Sequence, residues 1–367
     1  MEALIFGGAF DPPHSEHVNI LLSAVKELDF KGKIVIVPTF LPPHKSKSTI
    51  DFDTRVKLID NALKGYGLDY EISDIERRRG DENYASEILS IFKKEYDKIY
   101  YLIGGDSLIN LESWHMPQKV MEVATLVVCG RQGYLGLDEK IEYFKKQYGA
   151  DIIKIGYEGK AVSSTLIRTR LMLRLSSPNV PYDVAATFNQ LDEILEKLKS
   201  MQTDDLFYHS RAVSFRAVEL NSIHGLDLDP YKCLMAGLLH DNAKQRLSLD
   251  GFTVPSDAVG TPVLHQFLGA LKAERDFDIQ DKEILSSINY HTTGKANMTT
   301  LEKLIYSADM LSEDRTDIER LLQVMRNDFE IGFKACLSSS YFYVLSKKKG
   351  MYHLTQEAFD YYIRRDL

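Results

Sequence analysis

The chain has 367 residues, of which 27% are charged and 44% hydrophobic, and its formal net charge is −8. That length exceeds one ordinary core and predicts two globular domains. The acid excess argues against a general nucleic-acid binder, so a polyphosphate ligand has to be met by local cations or by metal. In chain order, Ala3-Leu4-Ile5-Phe6 reads as a buried strand, and Val18 to Val25 has apolar residues at helical spacing. Between them lies Gly7-Gly8-Ala9-Phe10-Asp11-Pro12-Pro13-His14-Ser15-Glu16-His17. A strand, a glycine turn and a helix start together offer backbone N–H groups and the positive end of a helix to phosphate. His14 and His17 stand three apart, which puts both imidazoles on one face of the helix entrance.

Lys33 to Pro38 is a second strand and leads to the stiff, cationic loop Leu41-Pro42-Pro43-His44-Lys45. Phe52 to Leu63 reads as a helix with Val56, Leu58, Ile59 and Leu63 apolar, and Tyr70-Glu71-Ile72 as a strand running to Asp74 and Glu76. Tyr84 to Phe92 is helical, and Lys98 to Ile103 is a strand closed by Gly104-Gly105-Asp106-Ser107. Ala124 to Val128 and Ile152 to Ile155 complete the strands. This alternation predicts a parallel sheet with helices on both faces, whose ligands bind beyond the carboxyl ends of the strands. Val162-Ser163-Ser164-Thr165-Leu166-Ile167-Arg168 then opens a helix with hydroxyls at its cap and an arginine one turn on. The runs His44-Lys45-Ser46-Lys47 and Arg77-Arg78-Arg79 read as solvated surface unless a site claims them.

The glycine-histidine stretch and the Ser163-Ser164…Arg168 stretch together resemble the nucleotidyltransferase superfamily, and within it bacterial nicotinate mononucleotide adenylyltransferase. Pro42-Pro43-His44-Lys45, Asp74-Ile75-Glu76, Ile103 to Ser107 and Trp114 follow in that family's order. The resemblance covers roughly residues 1–190 and implies a Rossmann-like α/β domain. It implies attack by a mononucleotide phosphate on the α-phosphorus of ATP, with pyrophosphate leaving and Mg²⁺ bridging the phosphates. By that likeness His14, His17 and Arg168 serve catalysis. Gly7, Gly8, Phe10, Lys45, Gly104, Asp106, Trp114, Ser163 and Ser164 hold ATP and the mononucleotide, with Trp114 stacked on the pyridine ring. Three departures from the family stand out, which has Thr at Ala9, Gly at Glu16 and Ser-Tyr-Thr at Asn83-Tyr84-Ala85. They leave open whether the acid or the amide mononucleotide is preferred, and whether this half transfers adenylate or only binds nucleotide.

Ser176-Ser177-Pro178-Asn179-Val180-Pro181 breaks the pattern, and from Leu191 helical periodicity runs nearly to the C-terminus, which sets a domain boundary at about residue 190. His209 lies on the apolar side of a helix, His240-Asp241 ends the run Cys233 to Leu239, and Asp309 follows Leu301, Leu304, Ile305 and Ala308. A carboxylate on such a face requires a cation or metal beside it. With His265, His291, Lys244 and Arg315, this half resembles the HD-domain metal phosphohydrolases that hydrolyse diadenosine tetraphosphate symmetrically. The likeness covers roughly residues 195–350. The all-α HD domain then supplies His209, His240, Asp241, His265, His291 and Asp309 as ligands for one or two ions. Imidazole with carboxylate suits iron, manganese or zinc. Asp241 bridges and, with Lys244, serves catalysis; Thr292 and Arg315 join Lys244 in steadying the polyphosphate. A general nucleotidase or a cyclic-nucleotide phosphodiesterase stays open for this half, as does another phosphate-ester acceptor for the first.

Cys129, Cys233 and Cys336 are odd in number and far apart, so a cytoplasmic protein without disulfides is expected. Neither a signal peptide nor a membrane span is expected. The expected partners are ATP, nicotinate mononucleotide and a dinucleoside polyphosphate, with Tyr182 to Leu198 and the C-terminal helices as segments open to a homo-oligomer.

Overall fold

The computed structural model describes residues 1–41, 50–80, 83–131, 136–160, 162–177, 180, 188–347 and 350–364. Lys45 and the first residues of the Tyr182 to Leu198 segment lie outside them. The chain divides into two compact units, Met1–Arg168 with Ser176–Thr187, and Thr169–Leu175 with Phe188–Leu367.

The first unit is built on strands β1 (Glu2–Gly8), β2 (Lys33–Pro38), β3 (Tyr70–Ile72), β4 (Lys98–Gly104), β5 (Thr125–Arg131) and β6 (Ile152–Gly159). All pair in parallel, in the order β3-β2-β1-β4-β5-β6. Helices α1 (Ser15–Glu27), α2 (Phe52–Leu63), α3 (Ile75–Arg79), α4 (Ala85–Phe92), α5 (Gly105–Ile109), α6 (Pro117–Val123) and α7 (Leu137–Tyr148) connect them, and α8 (Ser164–Met172) follows β6. Side chains alternate across the sheet: Ala3, Ile5, Val35 and Val37 enter one buried cluster, while Leu4, Phe6, Ile34 and Ile36 enter the other. Both faces therefore need helical cover, which is why the strands read as continuous apolar runs. The strand order reverses between β1 and β4, the place where such sheets open a ligand crevice. Phe6 pairs with Leu102, so Gly8 and Gly104 both fall two residues further, at the carboxyl edge of that crevice.

Among its described residues the second unit is helical. It comprises α9 (Asp192–Lys199), α10 (Asp204–His224), α11 (Pro230–Leu239), α12 (Leu264–Phe277), α13 (Lys282–Tyr290), α14 (Thr300–Met310), α15 (Glu319–Asn327), α16 (Phe329–Ser346) and α17 (His353–Tyr362). α10 is buried over most of its surface and carries the buried Ser214 where α11 approaches. The Ser214 hydroxyl donates to the Leu234 carbonyl at 2.7 Å, and a Cβ on Gly237 would lie 2.6 Å from the Ser214 Cα. Small residues on both helices thus let the backbones come together, and the end of α11 is fixed against α10. Among the described residues, no helix is long and apolar enough to cross a membrane.

Candidate phosphate site and metal centre

His14 is the N-cap of α1 and His17 its third residue. Their rings stack with centroids 3.8 Å apart, and the His17 Nδ1 accepts the His14 backbone N–H at 3.1 Å. Burial, reinforced by the His14 imidazole, holds His17 well below the usual imidazole range. The neutral ring, with Nδ1 accepting, carries its proton on Nε2, which is a donor suited to a phosphate oxygen. Phe10 adopts φ of +47° and is buried against Phe6 and His17, at 5.3 and 4.9 Å between centroids. Its ring explains one glycine, since a Cβ on Gly8 would sit 3.3 Å from it.

α8 begins at Ser164, with the Ser163 carbonyl accepting the Ile167 N–H at 2.9 Å. One turn on, Arg168 donates to the Asp11 carbonyl at 2.5 Å and lies 3.7 Å from its carboxylate. The two stretches that sequence separates by some 150 residues therefore meet, and the arginine reaches the histidine loop itself. Burial lowers the Arg168 pKa and Asp11 opposes that. Gly104 and Asp106 stand at the end of β4, where a Cβ on Gly104 would run into an Asp106 carboxylate oxygen. Trp114 is half-buried, edge-on to the buried Tyr101 with centroids 6.5 Å apart. Gly7 too is closely packed, since a Cβ there would lie 3.3 Å from the Tyr101 hydroxyl.

In the second unit, His209 on α10, His240-Asp241 after α11, His265 on α12, His291 after α13 and Asp309 on α14 converge. The Nδ1 atoms of His240, His265 and His291 lie 2.7, 2.7 and 2.8 Å from the carbonyls of Gly237, Pro262 and Ile288. Each carbonyl takes the ring proton and leaves the Nε2 lone pair pointing inward. Asp241 sits between two pairs of these nitrogens. Its Oδ2 is 3.3 Å from His240 and 3.9 Å from His209, and its Oδ1 is 3.3 Å from His265 and 3.4 Å from His291. Asp309 Oδ1 is 3.1 Å from the His209 Nε2.

The electrostatics fit cations. The His265 and His291 Nε2 atoms lie 3.2 Å apart, two lone pairs facing each other. His209 Nε2, His240 Nε2 and Asp241 Oδ1 are buried, and the acids and imidazoles close to them complete no well-directed hydrogen bond at these atoms. Such a set is costly unless an ion fills it. Burial raises Asp241 and Asp309, yet His240 and His209, respectively, hold them well below the usual carboxylate range. Burial and the neighbouring His291 imidazole push His265 down to about 4, whereas at His209 burial is outweighed by Asp309 and Asp314, which lift it to about 9. Two overlapping groups could each hold an ion: His209, His240 and Asp309, and His240, Asp241 and His291. Lys244 Nζ is 2.6 Å from Asp241 Oδ2, Arg315 binds the Asp309 carboxylate, and Thr292 Oγ1 is 3.0 Å from the Nε2 of both His265 and His291. A cavity of about 450 Å³ opens beside them, lined by His209, Lys244, Gln245, Asp314 and Arg315 among others.

Residues 5–170 match the Cytidylyltransferase-like family and residues 206–314 match the HD domain. A "probable nicotinate-nucleotide adenylyltransferase" of Nitratiruptor sp. is 38% identical over 136 residues, 36% of this chain and 76% of that protein. The chain belongs to the nicotinate-nucleotide adenylyltransferase family. A Mycoplasma genitalium relative, a "probable nicotinate-nucleotide adenylyltransferase/Ap4A hydrolase", is 28% identical across 85% of this chain and 87% of its own length. A solved "predicted HD superfamily hydrolase involved in NAD metabolism" from Clostridium acetobutylicum covers 48% of this chain and 98% of its own, at 28% identity and a TM-score of 0.44.

Three features of this adenylyltransferase-family chain lie beyond the sequence reading. Glu16 is buried and turned onto β6, accepting from the Lys160 N–H at 2.8 Å, the Tyr157 hydroxyl at 3.0 Å and the Asn19 amide at 3.2 Å. On α2 Arg55 is fully buried, whereas the apolar Val56 is only half-buried; Arg55 donates to the carbonyls of Ala9, Thr39 and Ile50 at 2.6, 2.8 and 3.2 Å. Its spacing from Phe52 and Ile59 marked it as inward, but a charge at such a position reads as an interruption. Asp314, 2.8 Å from the His209 Nδ1, carried no signal in the sequence. Arg77, Arg78 and Arg79 form exposed ion pairs with Asp53, Asp74 and Glu87, as surface residues do.

Proposed function

We propose that the chain is a bifunctional enzyme. Its first unit transfers adenylate from ATP to nicotinate mononucleotide, giving the dinucleotide and pyrophosphate. Its second unit hydrolyses a dinucleoside tetraphosphate symmetrically to two nucleoside diphosphates. The observation that carries the reading is the presence, on one chain, of the His14–His17 stack with Arg168 on the nearby Asp11 carbonyl and of the four-histidine, two-aspartate centre. The two-part name of the Mycoplasma genitalium relative supports it over both units.

In the transferase, His14, the His17 Nε2–H, Ser163, Ser164 and Arg168 bind the triphosphate around the end of β1, and the family resemblance assigns Lys45 to the same task. Gly7 and Gly8 bring backbone close to the phosphates, with Phe10 holding the His17 ring. Gly104, Asp106 and Trp114 receive the mononucleotide at the end of β4. Positioning and charge stabilisation carry such a transfer, since no covalent intermediate is needed. Mg²⁺, when bound, neutralises phosphate charge.

In the hydrolase, His209, His240, Asp241, His265, His291 and Asp309 would hold one or two ions of the iron, manganese or zinc type. When bound, these ions supply Lewis-acid charge and an activated water. Lys244 and Arg315 present cations to the polyphosphate, and the Thr292 hydroxyl offers it a hydrogen bond. An acidic chain handles polyanions here because positive charge is concentrated locally. A cytoplasmic setting suits Cys129, Cys233 and Cys336, all free and buried.

The test is a product analysis. With ATP, pyrophosphate should appear only when nicotinate mononucleotide or its amide is added, and the ratio of the two rates sets the acceptor preference. With diadenosine tetraphosphate and added metal, ADP should be the sole nucleotide product. AMP with ATP, or hydrolysis of 2′,3′-cyclic nucleotides in preference, would contradict the assignment of the second unit.

A further inference from the structure

The four histidines of the metal centre are not held alike. Three offer Nδ1 to neutral backbone carbonyls, at 2.7 to 2.8 Å. Of the four, only His209 presents its Nδ1 to a side-chain carboxylate, Asp314 Oδ2, at 2.8 Å. Asp314 reaches it from the segment after α14, five residues beyond Asp309, and its side chain is 22% exposed, at the rim of the 450 Å³ cavity. A carboxylate accepting Nδ1–H does two things that a carbonyl does less well. It fixes ring orientation through a charge-assisted bond, and it pushes electron density toward Nε2, making that nitrogen a stronger donor. The His209 Nε2 points at Asp309 Oδ1, 3.1 Å away, and away from the His265–His291 pair on the other side of Asp241.

We propose that Asp314 is a positioning residue that strengthens His209 as a metal ligand and so selectively tightens the ion held by His209, His240 and Asp309. The proposal rests on the metal-centre reading of the second unit and not on the substrate assigned to it. In this role Asp314 acts through the imidazole it holds. The other groups facing His209 are Asp309 and Asp241, with the His240 ring at 5.2 Å between centroids. Arg315 pairs with Asp309 and also feels the Asp314 charge, and Lys244 pairs with Asp241.

The experiment is a titration of the full chain, freed of metal, with Co²⁺ alone. It is followed by calorimetry and by the visible absorption of the bound ion, for wild type, Asp314→Asn and Asp314→Ala. Asn keeps the shape and a neutral acceptor, so it isolates the charge, while Ala removes the hydrogen bond as well. Loss of such an outer partner costs about 10- to 100-fold in metal affinity. One binding step should weaken by about that range, less for Asn than for Ala, with a changed absorption spectrum for that ion and the second step unaltered. Identical affinities in all three proteins, or equal weakening of both steps, would overturn the role of Asp314. Failure of the wild type to bind Co²⁺ would overturn the metal-centre reading as well, so the two failures are distinguishable. A His265→Ala chain, which should weaken the other step, identifies which step belongs to which ion.

Discussion

Gly237 of α11 lies against the main chain of Ser214 on α10, so close that a Cβ would come within 2.6 Å of the Ser214 Cα and 3.0 Å of its nitrogen. The atoms in the way are backbone, which cannot rotate aside. Gly237 also supplies the carbonyl that holds the His240 Nδ1, so the same residue sets both the helix approach and the orientation of a metal ligand. Gly237→Ala should destabilise the second unit by about 1–3 kcal/mol, the usual cost of overpacking. It should also lower metal content in the folded fraction, measured by elemental analysis after gel filtration. Unchanged metal content and unchanged unfolding would count against this packing.

Arg55 spans three segments, through the carbonyls of Ala9, Thr39 and Ile50. Removing a buried partner leaves each carbonyl unsatisfied at about 1–3 kcal/mol. Arg55→Met should therefore cost about 3 kcal/mol or more in the first unit. Trp114 is the only tryptophan in the sequence and belongs to that unit, so its fluorescence during urea unfolding reports the loss.

Glu76 gives the first unit a pH dependence of defined sign. It is buried and accepts the Phe40 N–H at 2.8 Å. Burial lifts its carboxyl to about 7, against the pull of that hydrogen bond and of Arg55 and Arg79. An acid whose folded pKa lies above its unfolded value binds more protons when folded, so stability is greatest below about 4.5 and falls as pH rises through 7. The fall attributable to Glu76 is at most about 3 kcal/mol. Glu76→Gln should flatten the change in Trp114-monitored stability between pH 5 and pH 8. An equal slope in wild type and variant would show that Glu76 is not its source.

Much of this was legible because it is local. The strand-glycine-helix run around His14 and His17 carries its own period and turn chemistry, and the observed β2 and α2 coincide with the spans their periodicity predicts. His209, His240-Asp241, His265, His291 and Asp309 were legible because polar residues on apolar faces are costly and thus stand out. What escaped depends on partners distant in sequence. Glu16 reads as an ill-placed charge until Lys160, 144 residues away, is seen to bind it. Asp314 reads as one acid among many until the fold sets it on the His209 ring.

Lys244 is about half exposed and touches Asp241 at 2.6 Å, on the cavity side of the metal centre. Lys244→Met should leave metal content intact while lowering diadenosine tetraphosphate hydrolysis about 10- to 100-fold, the range expected when one charge-assisted contact worth about 1.5–3 kcal/mol is lost. Loss of metal along with activity would show instead that the lysine acts on the centre and not on the polyphosphate.

The central claim is that two independent chemistries reside on one chain. It is tested most directly by assaying pyrophosphate release from ATP with nicotinate mononucleotide, and ADP release from diadenosine tetraphosphate, on wild type, His17→Ala and Asp241→Asn. His17→Ala should abolish the first activity and keep the second, and Asp241→Asn should do the reverse. A wild-type chain that releases no pyrophosphate, or a single substitution that abolishes both activities, would contradict it.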